Sequence, residues 1–148
     1  MIRRILVTTD GTTLSKKAAR SAIELAAATG AELVALNVVP RYPTSYFEGG
    51  IIVATPKEVA NAEKQWTDKA QTYVDAVRKS AEAAGVKVKT ALVHSDRVAE
   101  AIVAAAGKHK CDLVVMASHG RKGIKRLLLG SETQHVLTHG TVPVLVVR

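Results

Sequence analysis

Short runs of aliphatic residues alternate along this chain with longer stretches whose apolar positions recur at helical spacing, and that alternation leaves few architectures open. Ile5-Leu6-Val7 is the first run, and Leu14, Ala18, Ala22, Leu25, Ala26 and Thr29 then share a helical stripe until Gly30 supplies a stop. Glu32 to Val39 reads as a second strand ended by Pro40. Residues 40–56, with two further prolines and Gly49-Gly50, read as a long loop. From Pro56, which suits a first helical turn, to Ala84, the residues Trp66, Ala70, Tyr73, Val77, Ala81 and Ala84 form one stripe, and Gly85 closes it. Val86 to Val93 begins as an apolar and polar alternation whose Lys87 and Lys89 discourage stray pairing, as expected of a sheet edge. Asp96 precedes a helix with Val98, Ile102, Ala105 and Ala106 facing inward. Asp112 to Met116 is a buried fourth strand, Ser131 or Glu132 opens a last short helix, and Val142 to Val147 is a fifth strand with an early proline.

Five strands alternating with four helices, with near-continuous apolar runs in the central strands, predict an α/β fold: a doubly wound parallel sheet with helices on both faces. In such sheets ligands sit outside the carboxyl ends of the strands where the winding reverses, here between strand one and strand four. Asp10 and the loop from Met116 to Ser131 are expected to meet there. The 148 residues are enough for one core, so residues 1–148 are read as a single domain.

No run approaches the roughly 18 consecutive apolar residues of a membrane span, and Met1-Ile2-Arg3-Arg4 passes straight into a strand, so no membrane partner and a cytoplasmic location are expected. The single cysteine, Cys111, has no partner for a disulfide or metal knuckle and reads as a buried, inert thiol. Twenty-one basic against thirteen acidic side chains give a formal charge of +8, which favours polyanionic partners. Many of the bases, such as Lys64, Lys69, Arg78 and Lys79, stand among acids on a helix and form a solvated face. Tyr42, Tyr46, Phe47, Trp66 and Tyr73 are not interleaved with bases on one strand, so a nucleic-acid partner is not expected.

Chemistry concentrates at Cys111 to Thr133: a strand, a basic loop bounded by glycines, and a helix start. A loop leaving a parallel strand and feeding a helix amino end presents unpaired backbone N–H groups to one point, which suits a phosphate. Gly120 and Gly130 permit close backbone approach, and Ser131 offers a hydroxyl and an amide; turn glycines and a helix cap are the structural alternative. Asp10 can accept from ribose hydroxyls or stand near a phosphate-bound magnesium ion, or else help cap the helix that starts near Thr13. Arg121, Lys122, Lys125 and Arg126 can neutralise phosphates or an acidic partner, or form a solvated loop. His119 can donate to a phosphate, whereas His135 and His139 read as surface or cap residues. No histidine pair with a carboxylate has metal-ligand spacing, and no structural metal is expected.

The spacing of Ala117, Gly120, Gly130 and Ser131, with Asp10 after the first strand, resembles the universal stress protein family over essentially the whole chain. Its ATP-binding members carry glycine, two residues, glycine, nine residues, glycine and a serine or threonine; here Ala117 replaces the first glycine. The resemblance implies a Rossmann-like, adenine nucleotide alpha hydrolase-like three-layer sandwich with strand order 3-2-1-4-5, and a homodimer through the C-terminal strand 142–147. It also implies ATP, with magnesium at most indirectly at Asp10, and contacts from the backbone at Val38 and from Thr9, Met116, Ala117, His119, Glu132 and Thr133.

The leading expectation is therefore a dimeric stress-response module that binds ATP and signals to an unidentified protein partner. A nucleotide-free dimeric adaptor is the alternative that Ala117 raises. A slow ATP hydrolase is a further one, with little support, because the chain has neither a G-x-x-x-x-G-K-[ST] loop nor a G-x-S-x-G elbow.

Overall fold

The computed structural model describes residues 1–43, 54–120 and 129–148. Five strands, β1 (Arg4–Thr8), β2 (Glu32–Val39), β3 (Val88–His94), β4 (Leu113–Ala117) and β5 (Val144–Val147), form one parallel sheet in the order β3-β2-β1-β4-β5. Helices α1 (Thr13–Thr29), α2 (Pro56–Ala83), α3 (Val98–Lys108) and α4 (Ser131–His139) lie between them. The expected architecture and strand order are both present, and β3 is an edge as its lysines suggested.

Side chains alternate across a strand, so each central strand feeds two cores. Ile5 and Val7 of β1, Leu33 and Ala35 of β2 and Val115 of β4 pack under α1 and α2, through Ala18, Ala22, Ala26, Val74 and Ala81. Leu6, Val34, Leu36, Val114 and Met116 point the other way, against Ala99, Ile102, Ala105 and Ala106 of α3 and Val136 of α4. Alanines dominate the inward helix faces and let those helices lie close to the sheet.

Several boundaries differ from the sequence reading. The buried stripe of α2 is Ala70, Val74, Val77 and Ala81; Trp66 and Tyr73 are half-buried, and Ala84 is an exposed C-cap. On α1 the buried face adds Ser15, Ala19 and Ile23, while Leu14 is only half-buried. β5 begins after Pro143, whose ring removes a ladder donor while its carbonyl still accepts from the Val114 amide at 2.9 Å. Of the loop expected over 40–56, residues 44–53 lie outside the described residues, as do the basic residues 121–128.

Cys111 is buried, and loss of hydration pushes its thiol up to about 11, which makes it unreactive at neutral pH. Among the described residues no helix is long and apolar enough to cross a membrane.

Candidate functional site

The reversal of winding lies between β1 and β4, which pair directly through Ile5 with Leu113, Leu6 with Val114 and Val7 with Val115. Beyond their carboxyl ends the chain makes two turns that face each other. The first begins at Thr9, whose amide donates to the Leu36 carbonyl at 3.0 Å and whose carbonyl accepts from Asn37 Nδ2 at 2.5 Å. Asn37 is a buried polar residue among the apolar residues of β2 that follow Glu32, and this bond fixes where β1 ends.

Asp10 follows. Its Oδ1 accepts from the Thr12 amide at 3.0 Å and from the Thr12 hydroxyl at 2.6 Å. That hydroxyl in turn accepts from the Ser15 amide at 3.2 Å, so Thr12 is the N-cap of α1 and Asp10 orients the cap. The two readings of Asp10 therefore divide between its oxygens: Oδ1 braces the helix, and Oδ2 faces Gly120. A β-carbon built on Gly120 would stand 3.1 Å from that Oδ2.

The second turn leaves β4 at Ala117. Gly130 returns to it, its amide donating to the Ser118 carbonyl at 2.7 Å. The hydroxyl of Thr133, a fully buried side chain, donates to the carbonyls of Ala117 and Ser118 at 3.1 and 3.2 Å. Thr133 thus pins the loop ends together. Gly130, not Ser131, is the cap residue of α4, and it provides no side-chain cap for the first amides of that helix. Neither Gly120 nor Gly130 has a positive φ. Their smallness serves approach: a β-carbon on Gly130 would lie 3.2 Å from the Ser118 carbonyl oxygen and 3.3 Å from His119 Cα.

The remaining sequence-derived residues separate. Ala117 ends β4 in register with Val147, with no left-handed backbone. His119 Nδ1 lies 3.2 Å from the Ser118 hydroxyl. Met116 is buried in the α3 and α4 core. Glu132 Oε2 accepts from the Ala99 amide at 2.9 Å and so caps α3, whose own N-cap residue, Arg97, supplies no such bond. Val38 lies beyond the last β1–β2 pair, Thr8 with Leu36. Because main-chain direction alternates along a strand, the Leu36 carbonyl facing β1 places the Val38 main-chain groups on that same side, above the end of β1.

The sequence offered Thr12 or Thr13 as the cap of α1, and the structure selects Thr12. Sequence reasoning missed Ser15, Asn37 and Ser118 as parts of this scaffold; their only signal was polarity at positions where the apolar pattern called for burial.

A model of the universal stress protein family matches residues 1–148. The chain belongs to this family. It is 35% identical over 149 residues to a universal stress protein of Thermus aquaticus, with 100% of both chains covered. It is 34% identical over 155 residues to one from Methanocaldococcus jannaschii, covering 100% of this chain and 83% of that one. The solved structure of universal stress protein UspA from Lactobacillus plantarum superposes with a TM-score of 0.79 at 25% identity, over 99% of this chain and 98% of that one. More distant solved members share the fold: one in complex with cAMP (TM-score 0.72, 23% identity), and one from Arabidopsis thaliana with AMP bound (0.67, 15%).

Proposed function

We propose that this universal stress protein binds an adenine nucleotide, with ATP as the expected ligand, in the crevice between the carboxyl ends of β1 and β4, and acts as a dimeric regulatory module in the cytoplasm. The observation that carries this reading is the meeting of Asp10 Oδ2 with Gly120 across the crevice, beside the amino end of α4, whose N-cap residue Gly130 has no side chain to cap it. In this assignment the α4 amides and the Gly120 backbone receive phosphate oxygens, and Gly130, whose own amide is held by the Ser118 carbonyl, lets them approach without a side chain intervening. Asp10 accepts from ribose hydroxyls or stands behind a magnesium ion on the phosphates, and the Val38 main chain meets the adenine edge. Thr9, Ala117, Ser131 and His119 line the crevice, while Met116, Glu132 and Thr133 hold its walls from behind. The AMP and cAMP complexes of more distant members are consistent with this assignment.

Ala117 does not argue against occupancy, since its strand conformation is open to any residue. Binding is favoured over turnover because Asp10 Oδ1 is committed to Thr12.

The test is to denature freshly purified protein, identify released nucleotide by mass spectrometry, and titrate the emptied protein with ATP and magnesium. Stoichiometric adenine nucleotide or saturable binding is expected. Absence of both at millimolar ATP assigns the nucleotide-free adaptor instead.

A further inference from the structure

A second cavity, of about 560 Å³, opens between α1 and α2, on the face of the sheet opposite α4, and reaches Thr9 of the crevice. α1 lies over β1 and β4 while α2 lies over β2 and β3, which leaves a gap between the two helices. Ala19 and Ile23 of α1 face Ala76 and Val77 of α2 across it. At its rim stand Lys16 and Arg20, one helical turn apart, followed a turn later by Glu24. Among the described residues none of these three forms an ion pair, whereas Arg4, Lys87, Arg78 and Arg97 all do. Two cations against one acid leave this rim with a net positive charge over an apolar floor.

The inner end of the cleft is closed by Tyr73, whose ring packs directly on Gly11. Gly11 has φ +78°, and a β-carbon there would collide with that ring, so the contact requires glycine twice over.

We propose that this cleft is a ligand site for a small amphipathic anion, its apolar body between Ala19, Ile23 and Ala76 and its carboxylate, sulfonate or phosphate against Lys16 and Arg20. An apolar slot with a few charged groups at its mouth is the usual form of such sites. The site stands without the nucleotide assignment. Its regulatory consequence does rest on that assignment: a ligand pressing on Tyr73 bears on Gly11, and through it on the turn that presents Asp10.

The experiment uses nucleotide-free full-length protein and 8-anilinonaphthalene-1-sulfonate as the probe, followed by fluorescence and calorimetry. One saturable site per chain is expected. Ala76→Trp, which fills the slot from an exposed position, is expected to abolish binding. The double variant Lys16→Ala/Arg20→Ala is expected to weaken it about tenfold and to remove most of its salt dependence. Lys108→Ala, in the last turn of α3 on the other face of the sheet, leaves binding unchanged if the proposal holds. Absence of saturable binding, indifference to Lys16→Ala/Arg20→Ala, or loss of binding in Lys108→Ala would each overturn it. The double variant changes only surface side chains, so it decides the matter even if Ala76→Trp fails to fold.

Discussion

Gly120 and Gly11 are both glycines beside Asp10, yet the structure needs them for different reasons, and substitution separates the two. Gly11 occupies left-handed backbone under the Tyr73 ring, so it belongs to the fold. Gly120 has ordinary backbone and is exposed, and among the described residues the only atom within 4 Å of a new β-carbon is Asp10 Oδ2. Gly120→Ala should therefore leave the denaturation midpoint nearly unchanged and weaken ATP binding at least about tenfold, roughly 1.4 kcal/mol, by displacing that carboxylate. Calorimetric titration alongside urea unfolding checks both halves; equal affinity would place the ligand elsewhere. Ala117→Gly should behave in the reverse sense. Ala117 is in regular strand geometry beside Val147, so the substitution is expected to cost about 0.5–1 kcal/mol of stability and to change ATP affinity by less than about threefold. A large gain in affinity in that variant would identify the methyl group as the obstacle after all.

At the scale of elements, α3 illustrates what periodicity cannot convey. Its inward face, Ile102, Ala105 and Ala106, was legible from spacing, as were the strands and the stop at Gly30, because burial imposes a period that sequence displays directly. Its cap was not legible. The residue preceding it, Arg97, makes no side-chain cap, and the acceptor comes from Glu132, 33 residues away on α4. Long-range polar bonds leave no periodic trace, which is also why Asn37 went unread and Thr133 entered only through the family resemblance, while Asp10, Gly120 and Gly130 announced themselves by type and spacing. α3 and α4 pack together under one face of the sheet, so the Glu132 bond ties the helix entering from the edge to the helix flanking the crevice. Glu132→Ala should destabilise the protein by about 1 kcal/mol, the usual cost of a lost cap, and should increase amide hydrogen exchange first at Ala99 to Ala101. Unchanged exchange there would mean that water replaces the carboxylate at no cost.

On the scale of the whole molecule, the two ends of the sheet are held differently. At the amino ends Asp112 Oδ2 accepts from the Arg3 and Arg4 amides at 2.7 and 2.9 Å, and these bonds hold its carboxyl below the ordinary value of 3.8. Glu32 is lowered likewise, by hydrogen bonds from Lys87 and then Arg4. Lowered carboxyl values mean that the unfolded chain binds protons first, so this stabilisation is complete above the ordinary carboxylate range and disappears as pH falls through the lowered native values. Wild type should exceed Asp112→Asn in urea midpoint at pH 7, with the gap closing as pH falls below the ordinary value of 3.8; a gap independent of pH would assign the effect to packing. At the carboxyl ends the tie runs toward the edge. The Ser118 amide donates to the Val147 carbonyl at 2.8 Å, Ala117 pairs with Val147, and Lys17 Nζ reaches the Arg148 carbonyl oxygen at 2.6 Å. β5 is the outer strand, with Leu145 40% exposed on it, and an apolar edge of that kind suits pairing with a second copy. The proposed nucleotide crevice and the proposed dimer edge are thus one hydrogen-bonded residue apart. Leu145→Lys should convert the dimer to monomer in sedimentation velocity. For the wild type, saturating ATP should shift the dimer dissociation constant by about fivefold or more, because a ligand that orders the Ala117–Ser118 turn must also act on its Val147 partner. Reciprocity then requires the Leu145→Lys monomer to bind ATP with an affinity altered by a comparable factor. A dimer constant indifferent to ATP would leave the crevice and the edge as separate devices built on one sheet.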